Sequence, residues 1–349
     1  MREKSRYQEA NLAFLLLVGL LAIWTIGSDA KRSVPLKTIY CCVNLVAFPL
    51  ISWLMGREIR CVERSKDALT KTIWGLLGLY VVQKLLIFWS KIASGKSASL
   101  NFLNDDNTAW LYLCGAVWLV LALLIERRGW KHGPVLAVSV VLGCVAGYLP
   151  VVENLLCLNK LLVFAPLFLV GFWGLPDRLN AFLDRTWVRI LSLVALLAVA
   201  GGCLIASKPL YNSVGFLTAA NAYASLDNTW LNTFGGLFRL AWYGVIAVVG
   251  AALLSIMPRK KLPLLSLCGK RWFSVYFWLR PVMYFLIARI VKVLIGCGRL
   301  GKIDAALICL VLLPVLSLHS LETVTKGIFH WYDKGKELLK RFGRGERED

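Results

Sequence analysis

Apolar runs long enough to cross a lipid bilayer recur from one end of this chain to the other. A helix needs about 20 predominantly apolar residues to span the hydrocarbon core. Ten runs near this length occur, at residues 11–26, 34–55, 73–89, 109–125, 134–151, 155–175, 187–207, 235–257, 273–296 and 303–324. They are continuous and do not alternate with polar residues, so they favour helices over barrel strands. The sequence therefore predicts an all-α polytopic membrane protein with about ten transmembrane helices.

Most of the connecting segments are too short to fold by themselves, which favours a single membrane domain over residues 1–325. Residues 326–349 are rich in both charge signs and predict a basic amphipathic tail on the cytoplasmic leaflet. The first apolar run follows three cations, as a signal peptide does. We expect it to be retained, because the charges of the later loops fit an intact set of ten helices.

The distribution of the basic residues decides what the formal net charge of +20 means. With the N-terminus in the cytoplasm, 26 lysines and arginines fall in the inner segments and only 8 in the outer loops. This bias is what the positive-inside rule predicts for a multi-pass protein of the cell (cytoplasmic) membrane with both termini in the cytoplasm. Orientation in the bilayer accounts for the charge, so no nucleic-acid partner is expected.

Ionisable residues inside the apolar runs are costly there, and they are the strongest pointers to a binding site. Apart from residues at the ends of the runs, all of them are cations, with no Asp or Glu among them: they are Lys84, Lys160, Arg239, Arg280, Arg289 and Lys292. The four other than Arg239 and Arg280 lie within about two turns of an interface, where snorkelling is expected.

Arg280 lies about seven residues inside its predicted helix, directly before Pro281, which suits an anion-binding site. Arg239 is the second candidate. On the cytoplasmic side, four further cations extend a basic path for a phosphorylated ligand entering from the cytosol, or serve orientation alone. These four are Arg57, Arg60, Lys270 and Arg271.

Histidine is scarce, and this leaves the catalytic residues unassigned. The only three are His132, His319 and His330, and none lies deep in the first nine runs. A general base is most often His, so an enzyme would need another base or a mechanism without one. The ten cysteines are scattered along the chain and indicate neither a metal site nor a disulfide framework.

Several segments in a fixed order carry a resemblance to a known family. Residues 48–56 resemble its FHMPLFFFISG run, residues 109–113 its LWYL helix start, and residues 158–171 its LSRTLVFLPFFLLGY run. Residues 257–260 and 269–281 resemble its PRRK, GKRTL and VYFWHRP segments. The chain thus resembles the acyltransferase family 3 group of ten-helix membrane proteins, close to the fucose 4-O-acetylase-like branch.

The resemblance implies a membrane O-acyltransferase. Its donor would be acetyl-CoA or another acyl-CoA taken on the cytoplasmic side, with no metal. Its acceptor would be a hydroxyl of a carbohydrate or cell-envelope polymer. A cation-only interior agrees with a polyanionic donor such as CoA.

Three histidines of the family pattern are replaced in this chain. Trp24 stands near the end of the first helix, Ala47 at the FHMP position and Leu279 at the VYFWHRP position. Two alternatives to an active enzyme therefore stay open. One is a catalytically degenerate relative that binds a ligand or a partner. The other is a transporter of a surface-polymer intermediate, which the lack of intramembrane acids and of an inverted repeat disfavours.

Overall fold

The computed structural model describes residues 2–26, 33–95, 97–102, 108–149, 157–226, 229–286, 311, 313–319 and 321–329. This part of the chain is helical, with no strand. Its helices are α1 (Arg2–Ile26), α2 (Val34–Arg60), α3 (Lys66–Ala93), α4 (Trp110–Arg128), α5 (His132–Ala146), α6 (Leu158–Trp173), α7 (Asp177–Leu183), α8 (Thr186–Ile205), α9 (Ser207–Asn212), α10 (Val214–Leu217), α11 (Thr229–Ile256), α12 (Pro263–Lys270) and α13 (Trp272–Leu286). A 3₁₀ turn covers Tyr223–Ser225, and residues 321–329 are also helical.

The prediction of an all-helical chain is confirmed for the described residues, and their long apolar helices are consistent with a membrane protein. Six of the described helices, α1, α2, α3, α4, α8 and α11, are long and apolar enough to cross a bilayer. The pair α6 and α7, bent by 96°, would make a seventh span if it counts as one. Ten spans and the placement of both termini remain predictions.

Parts of the last two predicted runs and most of the tail fall outside the described residues. The missing parts are residues 287–296 of the ninth run, residues 303–310, 312 and 320 of the tenth run, and residues 330–349. The fifth run, expected to extend to residue 151, forms a helix only over His132–Ala146. Gly147 caps that helix, and its carbonyl accepts the Tyr223 N–H at 2.7 Å.

Helix α2 is the central element of the described bundle. It packs against α1, α4, α6, α8, α9 and α11. In its apolar 18-residue stretch 72% of the residues are buried, compared with 17% in the corresponding stretch of α8. Gly56 of α2 faces the Phe168 carbonyl of α6, and Gly171 of α6 faces the Trp53 carbonyl of α2, each too close for a Cβ atom. Small residues at such contacts allow two helix backbones to approach closely within a membrane.

Proline residues interrupt the hydrogen bonding of three helices, and neighbouring side chains satisfy carbonyls at two of the breaks. Pro281 cannot bond to the Phe277 carbonyl, and Gln83 Nε2 donates to that oxygen at 2.9 Å. Near Pro166, Trp118 Nε1 donates to Leu161 at 2.8 Å and Tyr243 to Val163 at 2.6 Å. Such replacement donors make irregular backbone tolerable inside the membrane.

The two ends of the bundle differ in chemistry. At one, which we call the basic end, ion pairs join separate elements: Arg57–Glu9, Arg64–Glu126 at 3.4 Å, Arg259–Asp184 at 2.6 Å and Arg271–Glu322 at 2.7 Å. At the opposite end, side chains bond to connecting segments: Lys84 to the Asn101 carbonyl, Tyr276 to that of Thr108 and Asn159 to that of Asn221.

Candidate functional site

The six cations predicted to bind a ligand lie in separate groups. Arg57 and Arg60 lie at the basic end, and Lys270 and Arg271 lie there too, at the junction of α12 and α13. Arg280 is nine residues beyond Arg271, about 13 Å along a helix axis. Arg280 and Arg239 each contact residues of the opposite end.

Arg57 and Arg60 converge at the start of the bend between α6 and α7. An added Cβ at Gly174 would collide with Arg60 Nη1 and would lie 3.3 Å from Arg57 Nη1. Arg57 pairs with Glu9, whereas no described carboxylate pairs with the exposed Arg60. These side chains therefore offer one neutralised and one available guanidinium at the same place.

An open cleft lies beside this arginine pair. Its cavity volume is about 40 Å³, and its walls include Gln8, Glu9, Trp53, Arg57, Asn180 and Arg259. Arg259 is held by Asp184 in a bond of 2.6 Å. The cleft combines an aromatic face and amide groups with two guanidinium groups that Glu9 and Asp184 already pair, so only the exposed Arg60 beside it offers an unpaired guanidinium to a ligand that carries a ring and phosphates.

Lys270 and Arg271 have contacts that tie helices together. Arg271 Nη1 donates to the Ser317 carbonyl at 2.5 Å, in addition to its ion pair with Glu322. The Lys270 ammonium lies 4.4 Å from the centre of the Tyr7 ring. The guanidinium of Arg271 thus connects the α12–α13 junction to residues 313–329.

Arg280 lies among aromatic side chains from four helices. Its guanidinium carbon is 4.7 Å from the centre of the Trp24 ring and 4.5 Å from that of Tyr284. Its Nη2 donates to the Tyr284 hydroxyl at 3.0 Å, while its buried Nε has no hydrogen-bond partner among the described residues. Tyr40 lies close enough to Arg280 for the two groups to interact electrostatically, and the Tyr40 ring is 5.6 Å from the Tyr211 ring.

We call these five residues, Trp24, Tyr40, Tyr211, Arg280 and Tyr284, the Arg280 cluster. All five are half-buried, so the cluster is partly open. Lys37 and Lys91 add positive charge, at 6.0 Å from the Tyr211 ring and 5.9 Å from the Tyr284 ring. No described carboxylate forms an ion pair with Arg280. Flat aromatic faces beside cationic donors suit a sugar ring or a group bearing negative charge.

Of the three positions at which the resembled pattern has histidine, one belongs to this cluster, one precedes Arg280 directly, and one lies about two turns along α2 from Tyr40. Trp24 covers one face of Arg280, Leu279 precedes Arg280 in α13 and is fully buried, and Ala47 is buried in α2. Of the histidines themselves, His132 stacks on Trp173, His319 is exposed and His330 lies outside the described residues. The described structure therefore places no imidazole beside Arg280 or Arg239.

Arg239 has no exposed surface and is enclosed by aromatic rings. Its guanidinium carbon lies 3.9 Å from the centre of the Phe216 ring, 4.9 Å from that of Trp242 and 6.0 Å from that of Tyr223. None of its three side-chain nitrogens makes a hydrogen bond of ordinary distance and angle in the described structure, although the Tyr223 hydroxyl lies close enough to interact with the guanidinium. We call Phe216, Tyr223, Arg239 and Trp242 the Arg239 cage.

The segment between α8 and α11 builds one wall of this cage. The Tyr223 ring is wedged between Gly147 and Gly235, where added Cβ atoms would collide with it, and its hydroxyl donates to the Cys144 carbonyl at 3.0 Å. Burial raises the pKa of the Tyr223 phenol, against the opposing effect of Arg239, so the phenol does not supply a negative charge. Tyr148 stabilises the nearby break in α11 at Phe234, donating to the Thr233 carbonyl and accepting from the Gly236 N–H, each at 3.0 Å.

Lys84 and Lys160 point toward the opposite end but do not reach open solvent. Lys84 is 1% exposed and donates to the Asn101 carbonyl at 3.0 Å. Lys160 is 3% exposed and lies 5.4 Å from the centre of the Trp110 ring. Simple snorkelling into water is therefore wrong for both, because connecting segments and aromatic rings cover them.

The aromatic members of both sites were not predicted from the sequence. They lie far from the arginines in the chain, Trp24 and Arg280 being 256 positions apart. A sequence signal that could have pointed to three of them is the long polar-rich segment between the seventh and eighth apolar runs, which supplies Tyr211, Phe216 and Tyr223. Comparison of the chain with family models, with curated proteins and with solved structures finds no match.

Proposed function

We propose that the protein is a membrane acyltransferase. It transfers an acyl group, with acetyl expected, from acyl-CoA to a hydroxyl of a sugar or cell-surface polymer. The observation that carries the proposal is the Arg280 cluster, a half-buried guanidinium with a free Nε donor among aromatic faces. The ordered segments that resemble acyltransferase family 3 support the same assignment.

The basic end is proposed to face the cytoplasm and to hold the donor. Arg57 and Arg60 beside the open cleft would contact the CoA phosphates, with Trp53 available to a ring. On α2, Arg57 and Tyr40 are separated by about 25 Å at 1.5 Å per residue. The acyl group would therefore reach the Arg280 cluster only at the end of a long extended donor.

The proposed reaction depends on how the two substrates are positioned and on the positive charge of Arg280. The acceptor hydroxyl oxygen attacks the thioester carbonyl carbon, the carbon–sulfur bond breaks, and the hydroxyl proton passes to the departing thiolate, giving an ester and CoA thiol. Arg280 Nε would donate to the carbonyl oxygen as negative charge develops there. With no described imidazole nearby, orientation of the two substrates supplies the remaining acceleration.

Two measurements on the purified, detergent-solubilised protein test this proposal. Calorimetric titration with acetyl-CoA should give micromolar binding, weakened at least about tenfold by Arg60→Ala, as expected for a lost charge-assisted contact. Arg280→Met should leave this binding within about twofold and abolish transfer of labelled acetyl to a hydroxyl acceptor. Arg64→Ala is the matched control, because this exposed arginine pairs with Glu126 and is not among the residues that line the cleft. A folded protein that does not bind acetyl-CoA overturns the proposal.

A second candidate is a ligand-binding relative without catalysis, and the Trp24–Arg280 contact favours it. An indole ring covers the guanidinium where the family pattern has a histidine, so a bound ligand would meet a closed aromatic face. Trp24→His and Leu279→His distinguish the two functions. Transfer activity that appears only in these variants supports the binding protein, and activity in the parent chain supports the enzyme.

A further inference from the structure

We propose that the Arg239 cage is a binding site for an oxyanion, the carboxylate or phosphate group of a ligand. The site is separate from the Arg280 cluster and does not depend on acyl transfer. It rests on a fully buried guanidinium whose nitrogens make no hydrogen bond of ordinary distance and angle among the described residues.

The geometry of the cage leaves the donors of Arg239 available. Aromatic contacts engage the guanidinium through the ring faces, with the Phe216 ring centre only 3.9 Å from its central carbon. The five N–H donors of a guanidinium point outward in its own plane, and cation–π contacts do not satisfy them. A carboxylate or a phosphate matches two parallel donors of that plane.

A second donor lies next to the guanidinium. Trp242 is 5% exposed, and its buried Nε1–H also has no hydrogen-bond partner in the described part of the chain. The Trp242 ring centre lies 4.9 Å from the Arg239 guanidinium carbon. An indole N–H can donate but cannot accept, so both groups require an acceptor and neither can serve the other.

The surroundings supply no negative charge to balance the cation. No described carboxylate pairs with Arg239, and the Tyr223 hydroxyl, which donates to the Cys144 carbonyl, can offer the guanidinium only a neutral oxygen. A buried charge without a partner is strongly destabilising, whereas an anion on well-placed donors offsets much of that cost. The retained positive charge therefore indicates that the occupied state contains an anion.

The wall of the cage suggests how a ligand enters. Phe216 and Tyr223 belong to the connection between α8 and α11, not to the long helices of the bundle. This connection lies at the opposite end, where Asn159 bonds to the Asn221 carbonyl. Displacement of the connection would open the cage to water-soluble ligands from that end. The aromatic rings around the donors suit a sugar ring that bears the carboxylate or phosphate, so the ligand class is an acidic sugar or a sugar phosphate.

Thermal unfolding of the purified protein tests the site. The probes are glucuronate and glucose 6-phosphate, with glucose as the neutral comparison at equal ionic strength. At least one acidic sugar should raise the unfolding temperature by several degrees at saturation, and glucose should not. The response of each probe distinguishes a carboxylate from a phosphate as the preferred group.

Variants connect this response to the cage. Arg239→Met should abolish the shift, and without ligand it should unfold no earlier than the wild type, because an unpaired charge has been removed. Trp242→Phe, which keeps an aromatic ring but lacks the N–H, should weaken the apparent affinity about tenfold. Arg64→Met should retain the full shift.

Three results would overturn the proposal. One is a wild-type protein that neither acidic sugar stabilises. The second is an equal shift in Arg239→Met. The third applies if Arg239→Met does not fold: an unchanged affinity of the acidic sugar for Trp242→Phe then rejects the site. Acetyl-CoA binding is measured in parallel, so failure of the donor cleft and failure of the cage are distinguishable.

Discussion

The two arginines inside the bundle are accommodated in different ways. Arg280 is half-buried and has a tyrosine hydroxyl as an acceptor, so its charge keeps some contact with polar surroundings. Arg239 is completely enclosed and relies on aromatic faces alone in the described structure. This difference is why we place a partly open reaction site at Arg280 and a buried recognition site at Arg239.

Single hydroxyl groups also stabilise the interior, and Tyr243 gives a clear test. Its hydroxyl donates to the Val163 carbonyl at 2.6 Å, next to the break that Pro166 makes in α6. Tyr243→Phe leaves that buried carbonyl without this donor and should lower the free energy of unfolding by about 1 kcal/mol. Denaturant unfolding in a defined detergent measures the change.

Tyr7→Phe is the matched control for this substitution. The Tyr7 ring lies against Lys270, and its hydroxyl makes no hydrogen bond within the described residues. The control should leave the free energy of unfolding within about 0.5 kcal/mol of the wild type, as surface changes usually do. Equal effects of the two substitutions would contradict the role assigned to the Tyr243 hydroxyl.

Among the elements, the contact between α2 and α6 depends on two glycines. An added Cβ at Gly171 would meet the Trp53 carbonyl, and one at Gly56 would meet the Phe168 carbonyl; neither backbone atom can move without separating the helices. Gly171→Ala should therefore lower the free energy of unfolding by about 1–3 kcal/mol, the range for overpacked cores. Gly244→Ala, with no atom within 4 Å of its added Cβ, should be neutral or slightly stabilising. If Gly244→Ala lowers the free energy of unfolding as much as Gly171→Ala does, this explanation is wrong.

The connection between α8 and α11 depends on the Tyr223 wedge. Tyr223→Ala removes the ring between Gly147 and Gly235 and should increase amide hydrogen exchange over residues 214–226 by at least about tenfold. Tyr223→Phe keeps the ring and loses only the bond to the Cys144 carbonyl, so a change of a few fold is expected. If the two variants exchange at the same rate, the ring is not what holds the connection.

The sequence predicted the elements better than it predicted their contacts. Apolarity over about 20 residues is sufficient to identify α2, α3 and α4, because a spanning helix satisfies its own backbone. A charge inside such a run is equally visible, which is why Arg239 and Arg280 were found. The sequence did not predict the early end of α5 or the burial of Lys84. Both depend on residues from other segments that pack against them.

For the whole molecule, the separation of two chemically different ends supports transfer through the bundle. The central helix α2 contributes Arg57 to the cleft at the basic end and Tyr40 to the Arg280 cluster. One helix, with Pro49 between Tyr40 and Arg57, thus connects the proposed donor site to the proposed acceptor site. A donor anchored by its phosphates at the first site would present its acyl group at a fixed depth.

This arrangement requires the basic end to face the cytoplasm, and native Cys61 can report it. Cys61 is exposed at the end of α2, while Asn101 is exposed in the connection between α3 and α4. A membrane-impermeant maleimide applied to intact cells should label Asn101→Cys above the wild-type level, because outer segments are accessible from that side. The Cys61-dependent signal, taken as the difference from Cys61→Ser, should appear only after permeabilisation. Labelling of Cys61 in intact cells would place the arginine cleft outside, where cytosolic acyl-CoA cannot reach it, and would reject the proposed direction of transfer.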